Sequence, residues 1–170
     1  MSMKRIIAAT VCLALLAAGC ALAESEDGKR WLRLGTSSLM IQVDDSFVQG
    51  EITEEDIADD QVAYLYSNER TLDFDVYQFS KEGLPDTLAE YMAQELSEYA
   101  SVSEQRADDE FNGIPAAWYR TIEPFEGVEY ETITYIMEDG DEFVEIVFWL
   151  SGDNDANEAG EIIQSLTRVD

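Results

Sequence analysis

Apolar and polar residues alternate over short stretches through most of the chain, and the period lengthens to that of a helix in two places. Trp31–Leu34 and Leu39–Val43 read as short strands on either side of Gly-Thr-Ser-Ser, and Val62–Tyr66 and Leu72–Phe79 as two more around Ser67-Asn-Glu-Arg-Thr71. Thr53–Ala58 predicts a helical turn capped by Thr53, with Asp56 favouring its positive end. After Gly83-Leu-Pro85, Thr87 and Glu90 have capping-box spacing, and Leu88, Met92, Leu96 and Tyr99 recur at helical intervals, which predicts a helix over 87–100. A polar, acidic connector then leads to the turn signal Asn112-Gly113. Strands are predicted over Ala116–Ile122, Glu129–Met137 and Glu142–Leu150. A last helix has Asp155 and Glu158 as caps and Ala159, Ile162, Ile163 and Leu166 as its stripe.

The order of strands, helix, strands, helix implies an α+β fold with a mainly antiparallel sheet of six to eight strands and two main helices. Asp139-Gly140 favours a tight hairpin turn, and a two-residue turn there pairs residues whose numbers sum to 279. Val144, Ile146, Phe148 and Leu150 then share a core face with Ile133 and Tyr135. On the opposite face Tyr130 meets Trp149, Thr132 meets Val147, Thr134 meets Glu145 and Ile136 meets Phe143. A hairpin apolar on both sides is either covered by a second layer or open to a partner. Glu145 in mid-strand needs water or a partner whichever holds. Trp118 and Tyr119 must point to opposite faces, one into the core, and Tyr64 and Tyr66 share a face.

The first residues change the picture of where this domain works. Met1-Ser-Met-Lys-Arg5 followed by the apolar run Ile6–Leu16 has the layout of a secretory signal and is too short to span a bilayer, which takes about 20 apolar residues. Ala21-Leu22-Ala23 fits cleavage before Glu24. Leu16-Ala-Ala-Gly-Cys20 instead resembles a bacterial lipobox, in which Cys20 would be lipidated after loss of residues 1–19. Residues 24–30 are a polar lead-in to one domain over 31–170, which is expected outside the cytoplasm, secreted or lipid-anchored at the cell surface. A membrane contact would come only through the lipid on Cys20.

Both cysteines, Cys12 and Cys20, lie in this leader, so no disulfide, thiolate or cysteine nucleophile is available to the domain. All 37 acidic residues lie beyond Ala23 with eight of the ten basic ones, a formal charge of −29. Such a surface repels a phosphate backbone, so nucleic acid is not expected as a partner.

The succession of a strand pair, two further strands, a helix introduced by Leu84-Pro85-Asp86, then Phe111-Asn-Gly-Ile-Pro-Ala116, a meander and a helix ending Ile163-Gln-Ser-Leu166 resembles the PsbP-like superfamily of small secreted and lipoprotein domains. The resemblance spans residues 31–168 and rests on Asn112–Ala116 and Ser165-Leu166 as its short motifs. It implies an α/β/α sandwich with helices on both faces of an antiparallel sheet, and a role in binding or assembly without a shared catalytic residue.

The absence of histidine rules out Ser-His-Asp and Cys-His catalysis and takes away the usual zinc ligands. Gly152 and Gly160 stand alone, so no phosphate loop is formed. Asp153-Asn-Asp-Ala-Asn157 begins like a calcium loop but has Glu158 where glycine is needed and Gln164 where a bidentate Glu should stand. No metal or cofactor is expected. The function implied is a non-catalytic binding or assembly module for a protein or small ligand, with Tyr130, Thr132, Thr134, Glu145, Val147 and Trp149 as the binding face. The alternatives are a carboxylate-based hydrolase of a sugar or cell-wall substrate, and a low-affinity cation-binding protein.

Overall fold

The computed structural model describes residues 23–24, 28–97, 99, 101–125 and 127–169. Residues 1–22, Cys20 among them, lie outside them, so the expected signal and lipidation site fall beyond the described residues. Seven strands form the main sheet: β4 (Phe47–Gln49), β5 (Gln61–Ser67), β6 (Asp73–Ser80), β10 (Glu142–Leu150), β9 (Val128–Asp139), β8 (Ile114–Phe125) and β7 (Val102–Phe111), in that spatial order, each antiparallel to its neighbour. A smaller antiparallel sheet holds β1 (Ala23–Glu24), β2 (Lys29–Arg33), β3 (Leu39–Asp44) and β11 (Thr167–Arg168). The helices are α1 (Glu54–Ala58), α2 (Leu88–Leu96) and α3 (Asp155–Gln164).

Strict alternation builds the first face of the main sheet. Phe74, Val76, Ile133, Tyr135, Met137, Val144, Ile146 and Phe148 point one way and are buried against Leu32, Leu39, Ile41 and Val43 of the small sheet and Ala159, Ile162 and Ile163 of α3. The rings of Phe47, Phe74, Phe148 and Tyr135 run through this layer with centroids 5.2 to 5.9 Å apart. On the second face lies α2, its residues Leu88, Tyr91 and Met92 packed on Ala117, Tyr119, Ile136 and Phe143. The helix-on-each-face arrangement is therefore present, with the small sheet supplying much of one layer.

Helix starts follow the capping chemistry. Thr53 and Asp56 complete a capping box at α1, and Thr87 accepts from the Glu90 amide at α2. The second helix is shorter than the predicted 87–100, with Ser97 as its C-cap. At α3 the expected capping by Asp155 and Glu158 is replaced by another arrangement. Asn154 is the N-cap and its side chain makes no cap bond. The buried Asp155 carboxylate reaches back to accept from the amides of Ser151 and Gly152 and from the Thr71 hydroxyl, while Glu158 pairs with Arg70.

Two strands of the main sheet, β4 and β7, have no counterpart in the hydrophobic pattern, nor do the two-residue strands β1 and β11 of the small sheet. Phe47–Gln49 is a three-residue edge with one buried side chain. Val102–Phe111, which reads as an acidic connector, is a ten-residue edge strand, exposed along nearly its whole length. Glu104, Arg106, Asp108 and Glu110 make that edge unattractive to another strand, and two register shifts against β8 add irregularity. The strand predicted over Trp31–Leu34 is β2, which runs from Lys29 to Arg33.

The turn between β9 and β10 falls one residue later than predicted. Asp139 pairs with Glu142, so facing residues sum to 281 rather than 279. Gly140, at φ +63°, occupies the first turn position, where a type II′ hairpin calls for glycine. Asp139 is held in the strand because its carboxylate accepts from Ser38 N and Oγ at 2.5 and 2.7 Å and from Arg168 at 2.8 Å. A two-residue slip leaves every side chain on its predicted face and changes only its opposite number. The Asn112-Gly113 turn has both residues at positive φ, 51° and 82°, as a type I′ turn requires.

A half-covered sheet face and an acidic, aromatic cleft

The second face of the main sheet is divided. At one end Phe143 and Ile136 are sealed under α2, where Tyr91 stacks on Phe143 with ring centroids 4.6 Å apart. Tyr119 joins them as the core member of the Trp118-Tyr119 pair, while half-buried Trp118 points to the other side and donates from Nε1 to Asp109 at 2.8 Å.

Thr132, Thr134 and Glu145 occupy the middle and are buried. Thr132 and Thr121 share a hydrogen bond across the strands at 2.9 Å. Thr134 Oγ1 sits by the Tyr119 hydroxyl without reaching hydrogen-bond geometry. Glu145 is 8 % exposed. Burial lifts its carboxyl to about 7, against a bond from the Tyr91 hydroxyl that lowers it and the Glu95 charge that raises it further. Its Oε1 has no hydrogen-bond partner among the described residues.

The other end is open. Trp149 faces Thr132, Val147 faces Thr134 and Glu145 faces Ile136, so the expected Tyr130–Trp149, Thr132–Val147 and Thr134–Glu145 pairs do not form. Tyr130 instead reaches Trp149 diagonally, ring edge to face, with centroids 6.0 Å apart. Neither ring belongs to the cluster under α2, and both are half-buried. They form one wall of a cleft of about 400 Å³ that extends over β5 and β6 to Tyr64 and Tyr77. Of the six residues expected to form a binding face, Tyr130 and Trp149 line this cleft, Val147 is half-buried beside it, and Thr132, Thr134 and Glu145 lie beneath the surface.

Residues outside that set complete the cleft. Asp73 and Asp75 project from β6 on the same side as Tyr77, as the two-residue period requires. The two oxygens of buried Asp75 accept from Gln61 Nε2 and Trp149 Nε1, each at 2.6 Å, which fixes the indole. Asp73 accepts from the Tyr64 hydroxyl at 3.3 Å. Burial, chiefly, pushes the Asp73 carboxyl above its ordinary range, with the nearby Asp155 charge adding to it and the Tyr64 bond opposing. Tyr64 is in turn pushed up to about 12 by burial and by Asp73. Tyr64 and Tyr66 stack at 5.7 Å.

The chain that leaves β4 passes flat against the Tyr64 ring. A Cβ on Gly50 would lie 2.4 Å from that ring, so only glycine allows the approach, and it carries Glu51 to the rim. Asp56 of α1 stands on the same rim. The alternation in 73–77 carries this signal in the sequence, since Asp73, Asp75 and Tyr77 recur every second residue; only the fold shows that β6 lies against β10.

Among the described residues no three Asp or Glu side chains converge as a metal site, the 153–157 loop included, and no helix is long and apolar enough to cross a membrane. No family model matches the sequence, and no curated protein does. Solved structures do share its chain path. The solution structure of cyanobacterial PsbP (CyanoP) from Synechocystis sp. PCC 6803 aligns with a TM-score of 0.60 at 8 % identity, over 90 % of this chain and 99 % of that one. A crystal structure from Bacteroides thetaiotaomicron VPI-5482 aligns at 0.53 and 19 % identity over 78 % of this chain; the chain spans 46 % of that protein's length. PA94, a Pseudomonas aeruginosa protein of unknown function, gives 0.49 at 10 % identity. The fold of this α+β domain, with its antiparallel main sheet, is PsbP-like.

Proposed function

We propose that this is an exported, non-catalytic binding module that takes a small ligand or a segment of a partner protein into the open end of its second sheet face. The observation that carries the reading is the cleft itself. It is concave and about 400 Å³ in volume, a size ordinary for ligand sites, and walled by half-buried aromatic rings that the domain's own helix leaves uncovered. Trp149 is held in place by a buried carboxylate, as a pre-formed site requires.

A hydrolytic alternative draws support from Asp73 and Asp75, two acidic side chains on one face of β6 whose Cα atoms are about 7 Å apart by strand rise. Against it, both Asp75 oxygens are engaged by Gln61 and Trp149. That role suits orientation of the indole better than proton transfer.

Binding is tested by fragment titration of the ¹⁵N-labelled protein with neutral, anionic and cationic fragments. The shifts should gather on Gln61–Tyr66, Asp73–Tyr77, Tyr130 and Trp149. Shifts scattered over the surface, or none, would overturn the binding role. Export rests on the N-terminal pattern of residues 1–23, and we take release at Ala23 as the outcome. Intact-mass analysis of the exported protein should give a chain starting at Glu24; an acylated Cys20 would replace release by tethering, and an unprocessed Met1 would refute export.

A further inference from the structure

Glu145 stands on the seam that divides the second face. Its neighbour across on β6 is Tyr77, which lines the open cleft, while Phe143, two residues along its own strand, is sealed under α2. We infer that α2 is a proton-held cover, closed on the sheet while Glu145 keeps its proton and opening when the carboxylate forms. This device stands apart from the binding role and does not depend on it.

The helix is lightly held. It has nine residues, too few to persist alone in water, and the side chains it buries are Leu88, Tyr91 and Met92. The ground beneath it is polar and incompletely satisfied. Of the four buried side-chain atoms without a hydrogen-bond partner among the described residues, two, Glu145 Oε1 and Thr134 Oγ1, belong to this face. A charge formed on Glu145 therefore has the Tyr91 hydroxyl to stabilise it and no donor at Oε1.

The groups around Glu145 do not supply a positive charge. Tyr91 and Glu95 face it from α2, Tyr119 from β8 and Tyr77 from β6, while Tyr99, just after the helix, packs on Tyr119 at 5.6 Å. β7 contributes apolar Ala107 to the cluster. Burial, chiefly, pushes the phenols of Tyr91 and Tyr119 above their ordinary range, so both stay neutral. Lys81, 4.9 Å over the Phe143 ring, pairs with Glu138. The charge that acts on Glu145 is that of Glu95, of like sign and carried by the helix itself. Opening would uncover Ala117, Ile136 and Phe143 and lengthen the receiving face beyond the cleft.

Under the closed helix Glu145 keeps its proton up to a pH of about 7, whereas with the helix lifted it ionises from the ordinary 4.5 upward. The open form binds fewer protons between those values. Its population should rise roughly tenfold per pH unit there and level off above about 7.

The test is amide hydrogen exchange of the exported protein, corrected for the chemical exchange rate at each pH. Protection over residues 91–95 should lie below that of Ile146 and Phe148 in β10, and should fall roughly a hundredfold from pH 5 to 7.5. In Glu145→Gln it should change less than about threefold over the same range. Tyr91→Phe keeps the ring and removes the donor that favours the charged form, so the fall should level off at a higher pH. Protection in α2 equal to that of β10 at pH 7.5 would overturn the inference, because the helix would then open only when the whole domain unfolds. Protection in α2 that is constant with pH would overturn it as well. A fall that persists in Glu145→Gln, or a levelling pH that Tyr91→Phe leaves unmoved, would do the same by removing Glu145 from the linkage. None of these outcomes bears on whether the cleft binds a ligand.

Discussion

Replacing Phe148 by alanine is expected to cost about 3–5 kcal/mol of folding free energy, the usual range for emptying a buried phenylalanine site. Phe148 has no exposed surface and lies in the middle of the first face, with Phe74 at 5.2 Å and Tyr135 at 5.9 Å between ring centroids. The cavity would lie between two sheets and a helix that cannot all close on it. Stability of a domain of this size is about 5–15 kcal/mol, so the variant would keep a small fraction of it. No disulfide can cushion the loss, because neither cysteine lies in the domain. Val147→Ala, next in sequence but half-buried on the second face, should cost far less. Urea unfolding of the two variants checks this. Equal losses would show that the two faces are buried alike.

Glu145→Gln should stabilise the protein by about 3 kcal/mol at pH 8 and leave it nearly unchanged near pH 4.5. In the folded protein the carboxyl holds its proton up to a pH of about 7, whereas the ordinary value is 4.5. Burial is the main cause, and the Glu95 charge adds to it. Between those two values the folded state binds more protons than the unfolded chain. Stability is therefore full below about pH 4.5, falls as pH rises, and has lost this contribution above about pH 7. Glutamine keeps the shape of the protonated acid and does not ionise, so its advantage should grow through that window. The difference between the two unfolding curves isolates Glu145 from the other acidic residues. A difference constant from pH 4.5 to 8 would mean that the carboxyl ionises in the fold without penalty.

The elements most readable in the sequence are those whose side chains alternate against a dry layer. Glu142–Leu150 is recovered to the residue because its two faces meet the core and α2, and Thr53 and Thr87 mark helix starts by short-range capping bonds. Val102–Phe111 was not readable, since an exposed edge strand buries too little to leave a hydrophobic period. The hairpin register was misjudged by two because Asp139 is held in the strand by Ser38, a hundred residues away, which no local turn signal contains. Face membership survived the slip, so Tyr130 and Trp149 were identified as members of an outward face although they are diagonal rather than opposite. The carboxylates that complete the cleft escaped notice because Asp73 and Asp75 are two among 37 acids, and their place beside Trp149 follows from β6 lying next to β10 across an intervening helix and meander.

The division of the second face into a sealed half and a receiving half can be read from two reporters in the fragment titration. The indole Nε1–H of Trp149 lies in the cleft, and the methyl groups of Leu88 and Met92 lie under α2. Bound fragments should move the Trp149 signal in a saturable way and leave the Leu88 and Met92 methyls where they are. A Trp149 signal indifferent to every fragment, or equal shifts under the helix, would contradict the existence of an open binding cleft on this face.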